Sequence, residues 1–229
     1  MRLNKFLASC GLGSRRACEE LIKSGQIKVN SRVIVNVATE IDPEKDTAFF
    51  NEKRLAPAAM VYYLLNKPIG YTSSLKDVHA KNLISELVPA NPPVWPVGRL
   101  DKNTSGLILL TNDGDLTYRL THPKYQKEKE YLIETDSSLN QDEISQLLAG
   151  INLDDGFVKA DFFEKIDEHR SRIIIHEGRK RLVRRMISFF NKKVISLERI
   201  RISTICLGKI RPGQYRTLTN EEIVSLKND

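Results

Sequence analysis

Between Gly98 and Gly114 the chain sets one carboxylate, Asp101, in a polar turn directly ahead of an apolar run, Leu107-Ile108-Leu109-Leu110. The run is continuous and of strand length, and Asn112-Asp113-Gly114 is a strong tight-turn signal that ends it. It reads as a buried strand. A carboxylate on so rigid a shoulder suits a nucleophile or a base. It also suits a plain turn cap, which is the commoner role of a lone Asp in such a place.

The rest of the chain bounds what that carboxylate can serve. At 229 residues there is ample length for one or two domains with a buried core. Apolar content of 41% and charged content of 28% are an ordinary globular balance and argue against disorder. No apolar run approaches the roughly 18 residues of a membrane span, and the opening Met1 to Phe6 lacks the apolar core of a secretory signal. A cytoplasmic protein with no membrane association is expected. The cysteines Cys10, Cys18 and Cys206 form no Cys-x-x-Cys pair, and His79, His122, His169 and His176 are scattered without ligand spacing. No glycine-rich phosphate loop is present. No metal and no cofactor is expected, and Cys10 and Cys18 read as filling of a small core.

A net charge of +7 favours a polyanionic partner, and its distribution says more than its total. Fourteen lysines and arginines fall between Arg170 and Arg216, against only Glu177 and Glu198. A solvated face kept for solubility would not be so poor in acids. Nucleic acid explains the bias, because each neutralised phosphate releases counterions.

The chain divides near residue 59, at Ala56-Pro57-Ala58-Ala59, into residues 1–58 and 59–229. In the first part Leu3, Phe6 and Leu7 share a helix face, Gly11-Leu12-Gly13 breaks the helix, and Ser14 is a good N-cap for the next. Ala17, Cys18, Leu21 and Ile22 form its stripe. Ile27, Val29, Val33 and Val35 read as two short strands around Asn30-Ser31. Arg2, Lys5, Arg15, Arg16 and Lys28 surround this unit. Arg15 and Arg16 at a helix start bring charge together with free backbone donors, which suits a phosphate.

In the second part a buried strand is expected over 61–66, a helical turn around Leu83 to Leu87, and a short helix capped by Asp115. A strand is expected at 131–133, a helix at 142–148, a strand at 172–176 and an amphipathic helix at 181–190. From Val194 to Ile205 the chain reads as extended, with Leu197, Arg199, Arg201 and Ser203 on one parity. Interspersed helices and strands of this kind give an α+β domain with a mixed, mainly antiparallel sheet.

The stretch from Gly98 to Gly114 resembles the catalytic motif of the pseudouridine synthases. The resemblance is to the branch that modifies bacterial ribosomal RNA and includes the 16S synthase and its 23S relatives. The match is long and ungapped, hence far more specific than a lone short motif. The N-terminal order of helix, Gly break, Ser-Arg-Arg, helix and Gly-x-Ile-x-Val-Asn likewise resembles the αL RNA-binding domain first seen in a small-subunit ribosomal protein. What the resemblance implies is a long sheet with a central cleft, Asp101 as the essential residue, and Arg99 filling the space left by a flipped-out base. Glu128 to Leu132 resembles the family's Lys-x-Tyr segment, which implies that Tyr131 lies against the target base. On the residues alone Tyr131 is equally a strand tyrosine. Glu177 to Met186 resembles a third motif, which implies that Arg184 pairs with Asp101 and that Val183 is the apolar wall of the base pocket. Leu182 stands there where many relatives carry Gln. Arg179, Lys180, Arg181 and Arg185 read as holders of RNA phosphate. The implied activity is isomerisation of a uridine in ribosomal RNA, 23S favoured over 16S, in free RNA or a pre-ribosomal particle, by a monomer. A non-catalytic ribosome-assembly protein that kept the fold is the alternative.

Overall fold

The computed structural model describes residues 1–75, 77 and 80–229. Lys76, Val78 and His79 lie outside the described residues, so His79 of the four histidines is not placed. The chain forms two compact units, residues 1–61 with 91–94, and residues 62–90 with 95–229.

The first unit carries α1 (Leu3–Ser9), α2 (Arg15–Lys23) and four short strands, β1 (Ile27–Val29), β2 (Arg32–Ile34), β3 (Ala48–Phe50) and β4 (Lys53–Arg54), in the order β2-β1-β3-β4. The Ser14 hydroxyl accepts from the backbone N–H of Ala17 and so starts α2. Leu3, Phe6 and Leu7 of α1 pack with Cys18 and Ile22 of α2 and with Ile27, all buried. Asn30 and Ser31 both take left-handed backbone, at φ 47° and 66°, the two-residue turn whose twist suits a hairpin. Asn51 and Glu52 repeat that geometry between β3 and β4, a hairpin the sequence reading had not recognised. Burial pushes the thiols of Cys10 and Cys18 up to about 11. They are inert packing groups, as expected from their setting.

The second unit is built on β5 (Tyr62–Lys67), β6 (Trp95–Pro96), β7 (Ser105–Thr111), β8 (Lys129–Thr135), β9 (Ile151–Leu153), β10 (Gly156–Val158), β11 (Phe162–Lys165), β12 (Arg170–Ile175), β13 (Val194–Ile202), β14 (Ile205–Cys206) and β15 (Tyr215–Thr217). Four helices accompany them: α3 (Gly114–Thr121), α4 (Gln141–Ala149), α5 (Leu182–Ser188) and α6 (Asn220–Asn228). Among the described residues the main sheet runs β11-β12-β8-β13-β7-β5-β15, with β14 paired to β13 and β6 to β7. Every pairing in it is antiparallel except β13 with β7, which is parallel. The expected mixed, mainly antiparallel sheet is therefore what forms. Strands β9 and β10 make a separate hairpin.

The unbroken apolar run has a simple cause. Leu107 and Leu109 of β7 join Tyr62 and Leu64 of β5 in one core with Leu116 and Leu120 of α3 and Leu226 of α6. Their alternates, Ile108 and Leu110, are fully buried as well. A strand covered on both faces has no need of polar alternation.

Several boundaries differ from the sequence reading. Asp113, not Asp115, caps α3, because its carboxylate reaches the N–H groups of Asp115 and Leu116. The turn at Leu83 to Leu87 is a single 3₁₀ turn, Ile84–Leu87. Helix α5 is shorter than 181–190, since Arg181 takes left-handed backbone at φ 52° just before it. In β13 a bulge between Arg199 and Arg201 shifts the alternation. Arg201 consequently leaves the side shared by Leu197 and Arg199 and pairs with Glu128 and Glu130 instead. No helix of the described residues is long and apolar enough to cross a membrane.

Candidate active site

Asp101 sits at the end of a segment that other parts of the second unit hold fast. The Ser73 hydroxyl accepts from the Leu100 N–H at 3.1 Å and donates to the Leu100 carbonyl at 2.8 Å. The Gly70 N–H donates to the Lys102 carbonyl at 2.8 Å, and the Thr104 N–H closes the turn onto the Asp101 carbonyl at 3.0 Å. Lys67, fully buried at the end of β5, ties the bend that follows it by donating to the carbonyls of Pro68 and Tyr71, each at 2.9 Å. Segment 67–73 thus clamps the Asp101 turn.

A cleft of about 260 Å³ opens beside this turn. Arg99, Asp101 and Thr104 line it from the turn, Lys129 and Tyr131 from β8, residues 177–183 from the loop into α5, and Leu197, Arg199 and Ile202 from β13. Of the residues singled out in the sequence, the cleft gathers Arg99, Asp101, Tyr131, Arg179, Lys180, Arg181, Leu182 and Val183. Tyr131, Leu182 and Val183 are buried, and Arg99, Lys180 and Arg181 are exposed at it. Asp101 is half-buried.

Arg184 is placed differently from the sequence expectation. It does not line the cleft. Its Nη1 donates to the Val194 carbonyl at 2.9 Å and its Nη2 to the Asn103 carbonyl at 2.7 Å, while Nε is buried without a partner. Burial and then Arg181 push the guanidinium pKa down, and Asp101 opposes them through space. The pairing is electrostatic, and the direct contacts of Arg184 hold the turn after Asp101.

Two of the presumed phosphate holders are engaged within the protein. Asp155, in the β9–β10 turn, forms a fork with Arg185 and accepts from Arg179 Nη1 at 3.1 Å. Arg179 also donates to Glu177 at 2.7 Å and to the Phe157 carbonyl at 2.6 Å. Hydrogen bonding from Arg185 holds the Asp155 carboxyl down at about 2. Arg179 and Arg185 therefore anchor the loop that presents Lys180 and Arg181. In the first unit Arg15 and Arg16 are exposed, and Lys5 is half-buried. Arg2 donates to the Ala38 carbonyl at 2.6 Å, and Lys28 pairs with Glu52 at 2.5 Å. An exposed pair of that kind is worth about 0–1 kcal/mol and yields readily to a phosphate.

Sequence reasoning missed three cations: Lys129 and Arg199, which line the cleft, and Lys67, in the segment that clamps the Asp101 turn. Burial pushes Lys67 down to about 8, with Asp101 opposing and Arg199 adding to the shift. Burial and then Arg199 bring Lys129 to about 8. Arg199 is 3% exposed. No local signal marked them, since Lys129 lies between Glu128 and Glu130 and Arg199 follows Glu198.

Comparison with known proteins gives the family. The model of the RNA pseudouridylate synthase family matches residues 61–189, and the S4 domain model matches residues 1–46. An uncharacterized RNA pseudouridine synthase of Aquifex aeolicus is 39% identical over 99% of this chain and 93% of its own length. The ribosomal large subunit pseudouridine synthase B of Bacillus subtilis is 35% identical over 99% of this chain and 95% of its own length. A crystal structure of a pseudouridylate synthase superposes with a TM-score of 0.72 at 30% identity and covers 99% of both chains. The chain belongs to the RNA pseudouridylate synthase family and carries an S4 domain at its N-terminus.

Proposed function

We propose that the protein isomerises a uridine of 23S ribosomal RNA to pseudouridine, with Asp101 as the nucleophile. The observation that carries this reading is the half-buried Asp101 carboxylate in a cleft lined by arginines, Lys129, Lys180 and apolar walls, whose other carboxylate, Glu177, is held by Arg179. The choice of 23S RNA leans on the Bacillus subtilis relative, whose name assigns it to the large subunit.

A base stacked in RNA cannot reach such a cleft, so the nucleotide enters flipped out, with Arg99 at the mouth in its place. The Asp101 carboxylate attacks the ribose anomeric carbon. The bond from that carbon to uracil N1 breaks, and its electron pair leaves with the base. The detached uracil turns between Tyr131 and Val183, and its C5 attacks the same carbon and releases Asp101. The proton lost from C5 is balanced by one gained at N1. Reactant and product hold the same atoms, so no co-substrate is consumed. Confinement keeps the detached base in place for the second bond. Lys67 and Arg184 both interact with Asp101 through space.

The test is Asp101→Asn assayed on 23S and 16S fragments, with pseudouridine mapped by base-selective chemical tagging and RNA affinity measured in parallel. The wild type should convert a 23S uridine. The variant should bind equally and convert nothing. Turnover by Asp101→Asn would remove the nucleophile assignment, and product confined to 16S RNA would remove the substrate assignment.

A further inference from the structure

Two buried polar groups on residues that line the cleft have no hydrogen-bond partner among the described residues. One is Thr104 Oγ1, on a residue 2% exposed, three positions after Asp101. The other is Nη2 of Arg199, on a residue 3% exposed. An unpaired buried hydroxyl or guanidinium N–H is a cost to the free protein. Two such groups on residues that line one cleft with the reactive carboxylate suit groups that find their partner in the substrate.

The strand geometry fixes where Arg199 stands. Arg199 pairs with Tyr131 of β8 on one side and with Gly106 of β7 on the other. Residues paired directly across neighbouring strands project to the same face. The guanidinium and the Tyr131 ring are therefore neighbours, and both line the cleft. Arg199 Nε donates to the Leu107 carbonyl at 2.8 Å. That bond anchors the guanidinium at one nitrogen and leaves the others for a ligand.

We propose that Arg199 and Thr104 form a polar subsite for a carbonyl oxygen of the uracil ring, and that Arg199 stabilises the negative charge the ring carries once its bond to ribose has broken. The inference rests on the reading above, in which the base detaches as an anion with its charge shared between N1 and the ring oxygens. Donors that are fixed and shielded from water act most strongly where charge develops during the reaction. The subsite takes a pyrimidine with an acceptor oxygen at that edge. A ring that presents an amino donor there would be opposed by the Arg199 guanidinium, which has donors only.

The experiment measures single-turnover rates of glycosidic-bond cleavage on an RNA fragment carrying either uridine or 5-fluorouridine at the target; fluorine at C5 cannot leave as the uridine proton does, so the rejoined 5-fluoro ring is read as its C5-linked product with water added across C6 and N1. It compares wild type, Arg199→Gln, Thr104→Val and Asp101→Asn, with RNA affinity and thermal stability recorded for each. Fluorine makes the detached base a more stable anion, so a variant that has lost anion stabilisation loses less on that substrate. Arg199→Gln should slow conversion of uridine about 100-fold, and clearly less for 5-fluorouridine. Thr104→Val should slow it about threefold to tenfold while leaving thermal stability equal or higher, because the hydroxyl it removes is unpaired in the free protein. Equal losses on both substrates for Arg199→Gln, or a Thr104→Val enzyme as fast as wild type, would overturn the proposal. If Arg199→Gln does not fold, Thr104→Val decides alone. Asp101→Asn separates the two levels: turnover by that variant overturns the underlying reading, whereas a dead Asp101→Asn with unselective Arg199 and Thr104 variants overturns this subsite only.

Discussion

Asp101 faces a concentration of positive charge that is costly to bury. Lys67 is the clearest case, fully enclosed and held at about 8 against an ordinary 10.5. Between those two values the unfolded chain binds a proton that the folded chain has released, so stability contributed at this position rises with pH. The penalty for burying the ammonium is fully present below pH 8 and disappears as the pH climbs to 10.5. Lys67→Met removes that pH dependence and also removes the donors to Pro68 and Tyr71. Urea melts of both proteins at pH 7, 8, 9 and 10 should show the wild type gaining on the variant only above pH 8. Parallel curves across the series would mean that Lys67 does not titrate there. Asp101 offsets part of that penalty through space.

At the scale of elements, the parallel contact of β7 with β13 is the feature on which the cleft depends. It brings the strand that follows Asp101 beside the strand that carries Arg199. Gly106 makes this approach possible. A Cβ there would lie 2.3 Å from the Arg199 carbonyl oxygen and 2.6 Å from its nitrogen, and the backbone sits at φ +100°. Both obstacles are backbone atoms, so no side-chain rotation relieves them. Gly106→Ala combines backbone strain of about 1–3 kcal/mol with an overpacking cost of about 1–3 kcal/mol. The variant should therefore lose about 2–6 kcal/mol in a denaturant melt, and any folded fraction should be slow because β13 has moved. A stable Gly106→Ala enzyme with normal rates would show that the strands can separate without harm to the site.

For the whole molecule, the relevant division is between a unit that presents basic residues and a unit that holds the cleft. The boundary is not a single cut in the chain, since residues 91–94 belong with the N-terminal unit. Removing residues 1–58 would strip that short segment of the unit it packs with. Point variants in the full chain are the cleaner probe. Arg15 and Arg16 are exposed at the start of α2, where charge and free backbone donors coincide. Arg15→Ala/Arg16→Ala should weaken RNA binding with little sequence preference and make log affinity less steep against log salt by about 0.7–0.9 per lost phosphate contact. Catalysis on saturating RNA should be unchanged. An unchanged salt slope would mean that this face does not grip the RNA.

What the sequence determined by itself was local. The continuous run Leu107 to Leu110, the caps at Ser14 and near Asp113, the Asn30-Ser31 turn and the motif around Asp101 depend on residues within a few positions of one another, and periodicity and turn chemistry read those directly. The short strands β9, β10 and β15 left no comparable signal, because their burial comes from distant partners, whereas helix α6 carried a local one, the Thr219 and Glu222 capping box, that the sequence reading does not use. Arg184 shows the limit for the site. Its position in a motif says that it lies near Asp101, but only packing against β13 gives its two nitrogens to the carbonyls of Val194 and Asn103. Arg179 and Arg185 look like free cations until the β9–β10 turn delivers Asp155 to them. Lys67 and Arg199 look like surface charges until two strands remote in sequence close over them. Charge, alternation and turns are properties of neighbours along the chain, whereas desolvation and the choice of hydrogen-bond partner are properties of neighbours in space. The tertiary structure alone decided the latter.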